Sequence, residues 1–372
     1  MINFSCEKAL LQSAISVAGR AVAQKSSIPA LEGLLLRADG ELTVSGYNMQ
    51  TGIRTKVPAH ITEAGEIVLN ARLFGDIIRR MPDDVVSFVS DERMNVKLSC
   101  GDANFSITGL SAADYPELPE VEDEYSISLE QRILRAMIEE TAFAVSLNES
   151  RPVHTGALFE ISDGGLTVVA VDGFRLAVRR EKYEKLEGGS FSFVAPGNAL
   201  NEVKGICADS EDLATVALGK RHLLFTVGDT ELICRRLEGE FLDYKNAIPR
   251  KNPISVVADT KELISSIDRV SVVISDKLKS PVRCVFDDNR LRLSAKTGNG
   301  EARDVCNIVG DGKGLEIGFN NRYLMEALRY APADTVRIEL NTGVSPAIIV
   351  PTEGEEEKFL YMVLPVRLKN SD

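Results

Sequence analysis

One short pattern recurs three times at domain-sized spacing. Leu42-Thr43-Val44-Ser45-Gly46-Tyr47-Asn48-Met49, Leu166-Thr167-Val168-Val169-Ala170-Val171-Asp172-Gly173 and Leu291-Arg292-Leu293-Ser294-Ala295-Lys296-Thr297-Gly298 start at residues 42, 166 and 291, spacings of 124 and 125. Each reads as an apolar strand running into a turn. In the middle copy Asp172-Gly173 is the hairpin signal, because both residues tolerate positive φ. Leu176 and Val178 then alternate with Ala177 and Arg179 on the return strand. A period of one domain length means three tandem copies of one fold, not a short-repeat solenoid. The 372 residues divide accordingly into 1–124, 125–250 and 251–372, each long enough to bury its own core.

The copies share a grammar of helix, three strands, helix, and three or more strands. Ser5 is the expected N-cap of the first helix, whose apolar face carries Leu10, Leu11, Ala14, Ile15, Ala18 and Val22. Ser128-Leu129-Glu130-Gln131 reads as a capping box, and Asp259 to Glu262 as the third cap. The second helices follow Asn70, open near Ala199, and start at Tyr323; Leu73, Leu200 and Leu324 match at spacings of 127 and 124. In the third copy separate strands are expected at 282–287, 291–295 and 303–309. Hairpin-length connections favour antiparallel sheets with two helices on one face, an α+β class.

Other function classes are excluded by what is missing. No apolar run reaches the ~18 residues of a membrane span, and Met1 to Glu7 has no signal-peptide character, so a cytoplasmic protein is expected. The six cysteines stand far apart, with no C-x-x-C and no histidine at ligand spacing, which points to free buried thiols and no metal. Gly310-Asp311-Gly312-Lys313-Gly314 lacks P-loop spacing and reads as a turn between strands. His60, His154 and His222 fall in separate contexts, no nucleophile motif accompanies them, and neither a catalytic site nor a cofactor site emerges. The net charge of −12 argues against a protein that grips nucleic acid by affinity. Yet basic residues do recur on the helices: Lys8, Arg20, Arg132, Arg135 and Arg269 on the first of each copy, and Arg72, Arg79, Arg80, Lys204, Arg322 and Arg329 on the second. Lys25, Arg151 and Lys279 follow the first helices. Glu139, Glu140, Glu262 and Glu326 share those helices, so on spacing alone ordinary surface charge outweighs a nucleic-acid face.

Three tandem copies, Asp172-Gly173-Phe174-Arg175-Leu176, Asp243-Tyr244 and the ending Tyr361-Met362-Val363-Leu364-Pro365-Val366-Arg367-Leu368 together resemble the bacterial sliding-clamp family, the β subunits of replicative DNA polymerase III. The resemblance spans essentially the whole chain. It implies a head-to-tail homodimer closed into a ring of six similar domains, with helices lining the hole and sheets outside. On that resemblance duplex DNA is expected to pass through without sequence readout, a clamp loader to open the ring with ATP, and replicative and other DNA polymerases to be tethered through short linear motifs. Neither a membrane role nor catalysis by the chain itself is expected. Topology then resolves the charge puzzle: tight phosphate contacts would stall sliding, so a modest basic lining suffices.

The resemblance also implies sites. The partner-peptide cleft is expected from His154, Gly173, Phe174, Arg175 and Leu176; from Leu242, Asn246 and Ala247; from Asn320, Tyr323, Val344 and Pro346; and from Met362, Leu364, Pro365, Val366 and Arg367. Lys25, Arg79, Arg80 and Arg151 are the expected DNA contacts. The ring joint is expected to pair the edge near 104–108, with Phe105 and Ile107, against the edge near 302–307, with Val273 and Ile274 beside it. His154 and Phe174 stand where pockets of this family can differ, and Lys369 to Asp372 and the acidic run 353–357 extend the expected pattern. Two alternatives stay open at this level. One is an enzyme with a site at a domain junction; the other is a monomeric peptide-binding scaffold that forms no ring.

Overall fold

The computed structural model describes the chain except residues 123, 163, 184–188, 276–279, 353–357 and 369–372. Lys279, the acidic run and the tail therefore lie outside the described residues. The chain divides into two compact units, Met1–Arg135 with Asn198–Arg236, and Ala136–Gly197 with Leu237–Asp372.

In the first unit, a five-stranded antiparallel sheet runs in the spatial order His60–Glu63, Asn3–Glu7, Val85–Ser90, Asn95–Cys100, Ala103–Thr108. Period-two alternation builds it: Phe4, Cys6, Val86, Phe88, Val96 and Leu98 point inward and are buried. Helices α1 (Lys8–Ala18) and α2 (Ala71–Arg80) cover that face, and Leu11, Ile15, Phe74 and Ile78 join the same core. The unit's second sheet has eight strands, and it crosses between copies. Strand Thr230–Arg235 of the middle copy pairs with Thr51–Val57 of the first, placing Glu231 opposite Arg54 as an ion pair and the Thr230 and Thr55 hydroxyls 2.9 Å apart.

The middle copy's helices are α3 (Gln131–Ala142) and α4 (Gly197–Ile206). A short α5 (Tyr244–Ala247) follows, and the third copy supplies α6 (Thr260–Ser271) and α7 (Asn321–Arg329). The second unit carries an eleven-stranded sheet in which the strand Arg175–Tyr183 pairs with Phe359–Val363, again joining two copies.

The recurrent turn has one design in all three copies. Asn48 Oδ1 accepts from the amides of Gln50 and Thr51, Asp172 Oδ1 from those of Phe174 and Arg175, and Thr297 Oγ1 from that of Asn299. A side-chain acceptor at the first position holds each two-residue loop. The loop proper in the middle copy is Gly173-Phe174, because the Asp172 amide donates to the Arg175 carbonyl. The expected Asp172-Gly173 centre is therefore shifted by one, and Gly173 alone takes positive φ, +90°. Met49 holds the matching place at φ +71°.

Several expectations need correction. Each copy opens with a strand that the helix-first reading lacks: Asn3–Glu7, Tyr125–Glu130 and Ile254–Asp259. Ser5 sits inside the first of these, and α1 starts at Lys8 without a side-chain cap. Ser128 sits inside the second, and its hydroxyl pairs with Thr215 at 2.9 Å instead of capping a helix. Asp259 does cap α6, accepting from the Glu262 amide at 2.8 Å. Leu10 is exposed and Val22 lies beyond the end of α1. Leu73 is 48% exposed, whereas Phe74 is fully buried, so Phe74 is the structural match of buried Leu200 and Leu324. In the third copy the three short strands are two long ones, Val282–Thr297 and Gly300–Phe319. Gly310 to Gly314 is not a turn between strands but an irregular stretch within the second, opposite register shifts at Phe286, Asp288 and Arg290.

Candidate peptide-binding cleft and basic helix faces

The middle turn is the anchor of the candidate site. Asp172 spends both carboxylate oxygens: Oδ1 on the Phe174 and Arg175 amides, and Oδ2 on Arg175 Nε at 2.9 Å. The Phe174 carbonyl accepts from the Leu364 amide at 2.9 Å, which ties the turn to the C-terminal strand. The Phe174 ring is left 57% exposed and stacks on Tyr323 of α7 at 5.7 Å between centroids.

Arg175 locks this arrangement from beneath. Its guanidinium is buried, donates to Asp172, to Glu326 and to the Phe143 carbonyl, and lies between the rings of Tyr323 (4.7 Å) and Phe143 (5.3 Å). Burial alone would raise the Glu326 carboxyl, but hydrogen bonds and charges from Arg175 and Arg322 outweigh that and hold it below the usual carboxylate value. The charges of Asp172, Glu326 and Arg175 are thus satisfied by one another.

What remains open is a cleft of ≈ 530 Å³, within the range of small-ligand and peptide pockets. Its lining brings together nine of the expected residues: His154, Gly173, Phe174, Arg175, Leu242, Ala247, Pro346, Met362 and Leu364. Tyr323 contributes through its stack on Phe174. Leu176, 1% exposed, belongs to the core beneath: it shares a sheet face with its cross-strand partners Val171 and Met362, which line the cleft, but is itself fully covered. Asn246 donates its backbone amide and its Nδ2 to Asp243, the N-cap of α5, and Asn320 caps α7 by accepting from the Arg322 and Tyr323 amides. Val344 is exposed outside the lining, Pro365 and Val366 pair with Phe319 and Gly318, and Arg367 is exposed.

Sequence reasoning missed Ser146, Asn148, Ser150, Val171 and Asp172 in this lining, and Arg151 stands there too, on the wall expected to hold peptide and not DNA. The loop 146–151 is held to the cleft by the Ser146 amide donating to the His154 carbonyl at 2.9 Å. No periodicity marks such a loop. Val171 and Asp172 could have been found, as they flank the turn. His154 is half-buried on the short turn Pro152–Thr155, edge-on to Phe241 at 5.4 Å. Burial, and then the Arg151 charge, push its imidazole below the ordinary histidine value.

The basic helix residues divide into spent and free. Arg20 pairs with Glu202, Arg132 with Glu130 and Glu211, Arg269 with Asp304, Arg322 with Glu326, and Lys8 with Asp83. Arg79 and Arg80 both reach Asp76 one turn back, leaving that trio one net positive charge. Lys25 is exposed, and among the described residues neither it nor Arg72, Arg135, Lys204 or Arg329 has a carboxylate partner within ion-pair range.

Two sheet edges complete the inventory. Ala103–Thr108 ends the five-stranded sheet, with Phe105 36% exposed and Ile107 packed partly on the core. Residues 300–307 pair with Val282–Thr297 on one side, and the next two, Ile308 and Val309, are those that reach Ile254–Asp259 on the other. Val273 and Ile274 are half-buried after α6, the Val273 carbonyl accepting from Thr297 Oγ1 at 2.9 Å. Val272 and Val305, 82% and 52% exposed, were not anticipated.

Comparison with known proteins gives consistent matches along the chain. Family models described as the N-terminal, central and C-terminal domains of the DNA polymerase III beta subunit match residues 2–119, 128–243 and 245–367. The beta sliding clamp of Synechocystis sp. is 32% identical over 397 residues, covering 98% of this chain and 99% of its own, and that of Synechococcus elongatus is 30% identical over 376 residues, covering 98% and 99%. The crystal structure of the DNA polymerase sliding clamp from Bacillus subtilis superposes with a TM-score of 0.93 at 26% identity, covering 99% of this chain and 100% of that one. The DNA polymerase III beta subunit from Thermotoga maritima does so at 0.91 and 27%, with the same coverage.

Proposed function

The chain belongs to the DNA polymerase III beta subunit family, the sliding clamps, and acts as a processivity factor of the bacterial replicative polymerase; on that premise we propose how its own surfaces divide the task. Two copies close head to tail around duplex DNA in the cytoplasm. The edge Ala103–Thr108 of one, with Phe105 and Ile107, pairs with residues 302–307 of the other, and Val273 and Ile274 pack beside the joint. Lys25, Arg79 and Arg80 face the DNA. Asp76 halves the charge of the two arginines, which keeps phosphate contacts weak enough for sliding. Arg151 serves the cleft. A clamp loader supplies the ATP chemistry, and the chain itself catalyses no reaction.

Polymerases and other partners dock a short linear motif in the cleft. The observation that carries this is the contrast inside it: Asp172 and Arg175 are already spent, so Phe174, Leu242, Met362 and Leu364 are left to receive apolar side chains. Burying a leucine or phenylalanine anchor there contributes ~1.5–3 kcal/mol each before the cost of ordering the peptide. The test is fluorescence anisotropy with a labelled peptide carrying leucine and phenylalanine anchors. Leu364→Asp is expected to weaken binding at least tenfold while the mass in solution stays that of a dimer. Equal binding by both proteins would remove the cleft from the account.

A further inference from the structure

We propose that His154 couples docking of an uncharged apolar peptide in this cleft to release of a proton from its imidazole to solvent, so that the cleft discriminates by protonation state. The proposal rests on the cleft being the partner site, and deepens that reading. His154 lines the same cavity as apolar Val171, Met362 and Leu364 and polar Ser146, Asn148 and Ser150, and its ring is half-buried, edge-on to Phe241.

The charged groups around the ring decide the sign. On its own turn stands Arg151, and Glu149 lies just before it. The hairpin offers Asp172 and Arg175, which are committed to each other. The segment carrying Phe241 holds exposed Glu238 and Glu240, and Asp243, whose carboxylate serves Asn246. Burial opposes protonation of the ring first, and the Arg151 charge adds to it. Among the described residues, the one carboxylate in the lining is that of Asp172, already committed to the hairpin amides and Arg175. An apolar side chain laid over the ring removes the water that otherwise solvates the charged form, so the protonated cleft must lose its proton to bind. The bound ring then titrates lower than the free one. Affinity is therefore constant above the free ring's titration and falls below it, approaching ~10-fold per pH unit.

His154 is the one histidine of its unit, since His60 and His222 belong to the other, which makes the assignment clean. The probe is an acetylated, amidated peptide with leucine and phenylalanine anchors and no ionisable group, titrated by anisotropy at pH 7.5 and 5.5. Wild type is expected to bind several-fold more weakly at pH 5.5, while His154→Leu and His154→Asn bind equally at both. In parallel, the His154 imidazole resonances in two-dimensional NMR are expected to titrate at lower pH once peptide is added. Binding with the same pH slope in the variants, a flat wild-type profile, or an unmoved imidazole titration overturns the proposal and leaves the cleft assignment standing. No binding at pH 7.5 by any of the three proteins instead overturns the cleft assignment itself.

Discussion

Replacing Arg175 with alanine should loosen the cleft more than any other single truncation in its lining. The side chain is 7% exposed and its guanidinium donates to two carboxylates and one carbonyl, with Cζ over the rings of Phe143 and Tyr323. Charge-assisted hydrogen bonds contribute ~1.5–3 kcal/mol each, but the buried guanidinium also costs several kcal/mol of desolvation. Removing one partner of such a pair typically costs ~3–5 kcal/mol, because the other charge stays buried. Here Glu326 keeps Arg322 at 3.1 Å and Asp172 keeps two backbone amides, which places the loss at the lower end, about 3 kcal/mol. The chain is not a single cooperative domain, so hydrogen exchange by mass spectrometry is the better assay. The opening free energy of Arg175–Tyr183 and α7 should fall by that amount, and peptide affinity with it. Arg175→Lys, which restores the charge without the fork, should recover less than half. The pH dependence has a definite sign. Glu326 titrates below its ordinary value, so its share of the stability is present above the unfolded value of ~4.3 and is lost as pH falls through the folded one; the penalty of Arg175→Ala should shrink in that acid window. A loss under ~1 kcal/mol at neutral pH, or full rescue by lysine, would refute the picture of Arg175 as the pin of the cleft.

Gly173→Ala should cost ~1 kcal/mol from backbone conformation alone, since φ is +90° and nothing lies within 4 Å of the added methyl; exchange protection of the hairpin measures it. Phe74→Ala should destabilise the first unit by ~3–5 kcal/mol and Leu73→Ser by less than ~0.5, read from thermal denaturation; the reverse ranking would restore the one-residue offset read from the sequence. The cysteines should resist a thiol reagent at pH 8 until the protein is unfolded, because burial pushes Cys6, Cys207 and Cys306 up to about 11 and Cys234 and Cys284 up to about 12; rapid native labelling of these five would contradict their placement.

The sequence made the repeat visible because the turn needs a side-chain acceptor and a tolerant next residue at fixed places, and Asn48, Asp172 and Thr297 supply them. The opening strands were not legible, since Phe4 and Cys6 give only two inward positions and nearby Ser5 imitates a helix cap. Pairing of Thr230–Arg235 with Thr51–Val57, and of Arg175–Tyr183 with Phe359–Val363, joins segments nearly two hundred residues apart, which local patterns do not encode. In the cleft, the residues beside the turn and on the last strand were found through family resemblance. The loop 146–151 was not, because an irregular segment held by isolated backbone hydrogen bonds to His154 leaves no periodic trace. Leu176 shows the opposite error: its apolar residue type alone favours the core, the family resemblance moved it to the cleft, and the structure buries it just beneath Val171 and Met362.

Retention on DNA addresses the central claim most directly. The protein is loaded with a clamp loader and ATP onto nicked circular duplex, gel-filtered at moderate salt, and half the sample is linearised. An acidic ring that holds DNA by topology stays on circles and runs off linear DNA. Equal loss from both would contradict the ring, and equal retention on both would show binding by affinity, against the proposed weak DNA contacts of Lys25, Arg79 and Arg80, where Asp76 offsets part of the arginine charge.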